Sequence, residues 1–152
     1  MRLVFGLIFA IVLGACGPTG SAPVQSATSV IGGPAADRLN NIRARAGLGA
    51  VSRNPILDAA ALRHADDMVS ANFFSHTGSN GSTVGKRVKA AGYRWCTVAE
   101  NINKGYSGRS AAIEAWRTSP SHFRNMTNPK VRHFGLANVG DVWVMVLAAK
   151  RC

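Results

Sequence analysis

The first sixteen residues decide how much of this chain is left to fold, and under what redox conditions. Arg2 is followed by an uncharged, mostly apolar run over residues 3–13, and small residues lead from there to a cysteine in Leu13-Gly14-Ala15-Cys16. A basic start, a short apolar core and small residues before a cut point make a secretory signal. The run is about half of the ~20 residues that cross a bilayer, which argues against a spanning helix. Cleavage before Cys16 removes 15 of the 152 residues and leaves 137, enough for one domain with its own core and too few for two.

The Leu-Gly-Ala-Cys run resembles the bacterial lipobox, in which the cysteine is diacylated and becomes the new N-terminus. Two acyl chains suffice for stable anchoring, each buried methylene contributing roughly 0.8 kcal/mol. The expectation is a lipid anchor at Cys16, with the protein facing away from the cytoplasm on the cell membrane or outer membrane of a bacterium. Residues 16–33 are rich in Gly, Pro, Ser, Ala and Thr and carry no charge. They read as a flexible tether with a root-mean-square span on the order of 20 to 25 Å. The division of the chain is therefore 1–15 signal, 16–33 lipidated cysteine and tether, and 34–152 folded domain.

With Cys16 consumed by lipid, Cys96 and Cys152 remain as an even pair in an oxidising compartment and are expected to form a disulfide. The formal charge of +11 draws the domain toward anionic surfaces such as headgroups or acidic envelope polymers. The basic residues are scattered and not interleaved with aromatics, so the charge does not point to nucleic acid.

Leu39, Ile42 and Ala46 recur at helical spacing before Gly47. Asn54-Pro55 is a cap followed by proline at the first helical position, and opens a second helix with Leu57, Ala61, His64 and Met68 on one face. His64 is expected to be buried there with Asp67, one turn on, as its partner. A polar turn spans residues 75–82, a short basic helix residues 83–91, and a strand residues 93–98. Residues 110–118 are helical, Ser119-Pro120 repeats the cap-then-proline device, and His122 falls in the first turn of the helix it opens. Two strands over residues 132–138 and 141–149 close the chain as a hairpin. Helices followed by an antiparallel hairpin make an α+β domain.

Phe74-Ser75-His76, Ala99-Glu100-Asn101-Ile102, and Trp116 followed by Ser119-Pro120-Ser121-His122 and Asn125 resemble the ordered blocks of the CAP superfamily: cysteine-rich secretory proteins, antigen 5 and pathogenesis-related proteins. The likeness is to its bacterial secreted branch. It implies a three-layer α-β-α sandwich with a small antiparallel sheet and a cleft of two histidines and two glutamates. His76, Glu100 and His122 match three of those places. The fourth, three residues after the tryptophan, is Ser119 here, and Glu114 lies on another face of the helix, about 160° from Trp116. Two further departures are Ala99, where the family usually has glycine, and Trp143-Val144-Met145 in the last strand, where bacterial relatives often carry polar residues.

Two imidazoles and a carboxylate are a chemically sufficient donor set for zinc with an open water position, with His76 and His122 as the metal ligands. The same three residues equally suit a hydrogen-bonded structural brace. No HExxH helix, CxxC pair, phosphate-cradling loop or GxSxG elbow is present. The resemblance therefore implies a binding module for a lipid, sterol-like or cell-wall ligand. Its alternatives are a metal-dependent hydrolase of a peptide or envelope polymer, with Glu100 as ligand or base, and a scaffold presenting a basic surface.

Overall fold

The computed structural model describes residues 33–152; the signal, Cys16 and nearly all of the tether lie outside them. Nine elements follow one another: α1 (Gly33–Arg45), β1 (Ser52–Arg53), α2 (Pro55–Ser70), α3 (Val84–Ala90), β2 (Thr97–Lys104), α4 (Arg109–Thr118), α5 (Pro120–Met126), β3 (His133–Val139) and β4 (Val142–Ala149). Among the described residues, no helix is long and apolar enough to cross a membrane.

Of the two expected caps, Asn54 works as capping chemistry requires, whereas Ser119 precedes Pro120 at the start of α5 without a side-chain cap bond. The Asn54 side chain accepts from the amides of Ile56 at 3.0 Å and Leu57 at 3.4 Å, with Pro55 just inside the helix. The Thr83 hydroxyl accepts from Lys86 N at the start of α3.

The sheet runs β1-β3-β4-β2. β4 is central, and all eight of its residues are buried, as a strand covered on both faces must be. Its side chains alternate between two cores. Trp143, Met145 and Leu147 join Leu39 and Ile42 of α1, Ile113 and Trp116 of α4, and Met126 of α5. Val142, Val144, Val146 and Ala148 join Leu57, Ala61, Ala65 and Met68 of α2, Val88 of α3, and Tyr93. The result is the three-layer α-β-α sandwich, with α1, α4 and α5 on one side of the sheet and α2 and α3 on the other.

Gly135 of β3 sets the distance between sheet and α2. A Cβ at that position would overlap the Leu57 carbonyl carbon and the Asp58 amide nitrogen, so backbone meets backbone where any side chain would hold them apart. Cys96 and Cys152 are joined, with Cα atoms 6.0 Å apart, which ties the end of the chain to the start of β2.

Three expectations are corrected. The sheet is not wholly antiparallel, because β1 pairs in parallel with β3 through Ser52–His133 and Arg53–Phe134. The strand placed at residues 93–98 begins at Thr97 and runs to Lys104, so Glu100 lies mid-strand, opposite Val146 of β4. α1 begins at Gly33, the last residue assigned to the tether.

Candidate functional site

Strand geometry separates the residues of the Glu100-Asn101-Ile102 run. Successive side chains of β2 point to opposite faces, and β2 is an edge strand, so its two faces serve two different helical layers. Glu100 turns to the α2/α3 side, where His64 of α2 and Arg87 of α3 meet it. Asn101 turns to the α5 side, donating to the His122 carbonyl at 3.1 Å and accepting from Asn125 at 2.8 Å. Asn125 also donates to the Glu100 carbonyl. The amide pair Asn101–Asn125 thus fixes α5, and with it His122, against the strand that carries Glu100.

The Glu100 carboxylate is 2% exposed and fully engaged. Its Oε1 accepts from His76 Nδ1 at 2.9 Å, and its Oε2 accepts from Arg87 at 2.8 Å. The same guanidinium donates to the carbonyls of Ser82 at 2.7 Å and His76 at 3.1 Å. One cation therefore neutralises the buried acid and ties down both ends of the loop bearing His76, a geometry in which each charge-assisted bond is worth more than a neutral one. His64 lies behind, completely buried. Its Nε2 donates to Ser75 O at 2.9 Å and stands 3.7 Å from Glu100 Oε1. Burial, outweighing the attraction of Glu100, holds its pKa below the ordinary histidine value. With the proton on Nε2, Nδ1 is left buried without a partner among the described residues.

What this arrangement shows to solvent is imidazole. The His76 side chain is 57% exposed, and the bond from Nδ1 to Glu100 leaves Nε2 outward. His122, on α5, is half-buried, and its pKa is lowered first by burial and then by the charge of His76. The two histidines belong to different layers, His76 to the loop beside α3 and His122 to α5. Of the expected trio, His76 and Glu100 bond directly, whereas His122 joins that network through its backbone, its carbonyl accepting from Asn101 beside Glu100. A hollow of about 340 Å³ lies beside this network, lined by Arg87, Ser82 and Asp67 among others.

A resident zinc site takes three protein donors and leaves a fourth place open. Among the described residues, no three His, Cys, Asp or Glu side chains are arranged to hold a metal. The expected set of His76, His122 and Glu100 falls short because Arg87 and His76 occupy both carboxylate oxygens. Ser119 caps nothing and adds no acid, its hydroxyl lying 3.4 Å from that of Ser121. Glu114 pairs with Arg117 in a hollow beside α1 that also holds Asp37 and Arg38. As arranged, the residues present do not fit a resident zinc ion.

One participant escaped the sequence reading, and one was given the wrong partner. Arg87 was one of many scattered cations, yet Val84, Arg87 and Val88 fall at i, i+3 and i+4, and Val84 and Val88 pack into the core; that spacing marks Arg87 as inward-facing. His64 is buried as expected, but Asp67 is not its direct partner. Asp67 instead accepts from the Ser79 amide at 2.9 Å and the Ser79 hydroxyl at 2.5 Å, holding the turn after His76.

The three-layer α-β-α sandwich defines a protein class, and the comparisons agree with it. The family model for the cysteine-rich secretory protein family, CAP, matches residues 36–142, and the chain belongs to that family. It is 28% identical over 134 residues to the uncharacterized protein YkwD of Bacillus subtilis, covering 87% of this chain and 51% of that protein. It is also 28% identical over 100 residues to the uncharacterized membrane protein YlbC of the same species, covering 66% and 29%. The chain thus spans about half, or less, of the curated relatives it matches. Among solved structures, an extracellular SCP-domain protein of Bacillus anthracis superposes with a TM-score of 0.74 at 26% identity, over 76% of this chain and 39% of that one. An outer surface protein of Borrelia burgdorferi superposes with a TM-score of 0.70 at 18% identity, over 76% and 89%, a likeness of fold.

Proposed function

We propose that this chain is an extracytoplasmic binding module of the bacterial envelope, held to a membrane by lipid on Cys16, in which His76 and His122 hold a lipid, sterol-like or cell-wall ligand. The observation that carries the reading is the internal neutralisation of Glu100. With Arg87 on one oxygen and His76 on the other, the acid is spent on holding the His76 loop, while two imidazoles remain to meet a polar group of a ligand. The naming of structural relatives as extracellular and outer surface proteins supports the location, as does the Cys96–Cys152 disulfide.

The hydrolase alternative needs Glu100 as metal ligand or general base. A base must reach the proton it takes, and a carboxylate 2% exposed beneath a guanidinium is poorly placed to do so. The test is native mass spectrometry of the full-length protein released from its membrane, with analysis of extracted ligands and metals. A co-purifying ligand lost in His76→Ala/His122→Ala, with the circular dichroism spectrum unchanged, supports binding. A ligand retained by the double variant, or turnover of an envelope fragment abolished by Glu100→Gln, overturns it.

A further inference from the structure

Against α3, Trp95 is 41% exposed. Its position is fixed. The indole lies so close to Gly85 that a Cβ there would fall 2.6 Å from Cζ2, and its Nε1 donates to the Gly85 carbonyl at 2.9 Å. The ring's one polar group is therefore satisfied internally, and what it offers outward is apolar surface. The other two tryptophans, Trp116 and Trp143, are buried in the core.

Around this ring, Thr83, Lys86, Lys89 and Arg94 complete an open hollow of about 440 Å³ with no acid in its lining. None of the three cations forms an ion pair among the described residues. The helix explains the sorting: Arg87 turns inward to Glu100, which leaves Lys86 and Lys89 on the exposed face of α3. The disulfide brings Lys150 and Arg151, at the chain end, back toward the same edge, where the Lys150 ammonium lies 5.4 Å from the Tyr93 ring.

We propose that this face docks on an anionic lipid bilayer, with Trp95 at the boundary between headgroups and acyl chains and Lys86, Lys89 and Arg94 on lipid phosphates. A soluble anion is recognised by converging donors, and here the indole N–H is already spent on the Gly85 carbonyl. A rigid aromatic ring surrounded by unpaired cations on flexible stems is instead the composition of an interfacial anchor. The proposal depends neither on a ligand at His76 and His122 nor on the lipid at Cys16. It adds the orientation in which the domain meets the membrane.

Trp95 supplies its own probe, since residues 1–32 contain no tryptophan and the other two are buried. The full-length protein is mixed with vesicles of phosphatidylcholine alone, or of phosphatidylcholine with phosphatidylglycerol. Any apolar N-terminal segment binds both, so the difference between them reports the cationic face. The expected result is a blue-shifted emission and protection from acrylamide with anionic vesicles only, reversed by salt. One basic residue near an anionic surface is worth about fivefold in partitioning. Lys86→Gln/Lys89→Gln/Arg94→Gln should therefore reduce the anionic preference on the order of a hundredfold, and Trp95→Phe should weaken it and remove the emission change. Trp95 remaining as quenchable on anionic vesicles as in solution would overturn the proposal. So would equal protection by a soluble poly(glycerol phosphate) that displaces the protein from vesicles, which would make an envelope polymer the partner.

Discussion

Replacing Arg87 by methionine tests whether the buried carboxylate depends on its guanidinium. The change keeps most of the apolar stem, and so removes the charge and three hydrogen bonds, to Glu100, Ser82 O and His76 O, with little loss of packing. Water can replace the bonds at the partly exposed Ser82 and His76, whereas Glu100, 2% exposed, is left as a buried charge with imidazole partners only. Breaking one side of a buried ion pair costs about 3–5 kcal/mol, and we expect about 4 kcal/mol here. In urea, at a slope of about 2 kcal/mol/M for a domain of this size, the midpoint should fall by about 2 M with the slope unchanged. The deficit should shrink under mild acid, because Arg87 lowers the pKa of His64 and its loss lets that ring take a proton beside Glu100. Adding Glu100→Gln should recover about 2 kcal/mol by removing the unpaired charge. A loss below about 1 kcal/mol, or a double variant no more stable than the single, would refute the reasoning.

Two other outcomes follow from the packing and the buried histidine. Gly135→Ala should destabilise by about 3 kcal/mol or more in thermal or urea unfolding, because the new methyl meets the α2 backbone and not a side chain that can turn aside. An ordinary surface cost of about 0.5 kcal/mol would contradict the close approach of β3 and α2. His64, with its folded pKa lowered by burial, contributes stability that is present above the ordinary histidine value of about 6.5 and lost as pH falls below it, since the unfolded chain takes a proton that the folded one refuses. His122 and His133 are shifted in the same direction. The urea midpoint should therefore drop between about pH 7.5 and pH 5.5, and less in His64→Gln, which keeps a donor for Ser75 O but does not titrate in that range; an equal drop in the variant would assign the acid sensitivity elsewhere.

The helices were legible where local chemistry forces them. Asn54-Pro55 and Ser119-Pro120 carry their start signals within two residues, and α2 and α5 begin there. β4 was legible as a strand because nothing but burial on both faces explains so continuous an apolar run. β2 was less so: Glu100, Asn101 and Asn103 point into the protein and spoil the alternation that would mark its faces, and the displaced assignment to residues 93–98 followed Tyr93 and Trp95, whose burial and exposure have other causes. β1 is two residues long and leaves no periodic trace. The pairing of His76 with Glu100 was legible through family resemblance alone, since 24 residues separate the two and no local signal spans that distance. Buried Arg43 shows the same limit. Its guanidinium bonds the carbonyls of Gly49, Met126 and Asn128, tying α1 to the end of α5, and nothing near it in the chain announces those partners.

The account stands most directly on a crystal structure of the protein purified with whatever its own envelope supplies. Ligand atoms within hydrogen-bond reach of His76 Nε2 and the His122 ring, with Arg87 still seated on Glu100, is the predicted result. A metal ion bound to the Glu100 carboxylate, with the guanidinium displaced from it, would contradict the reading.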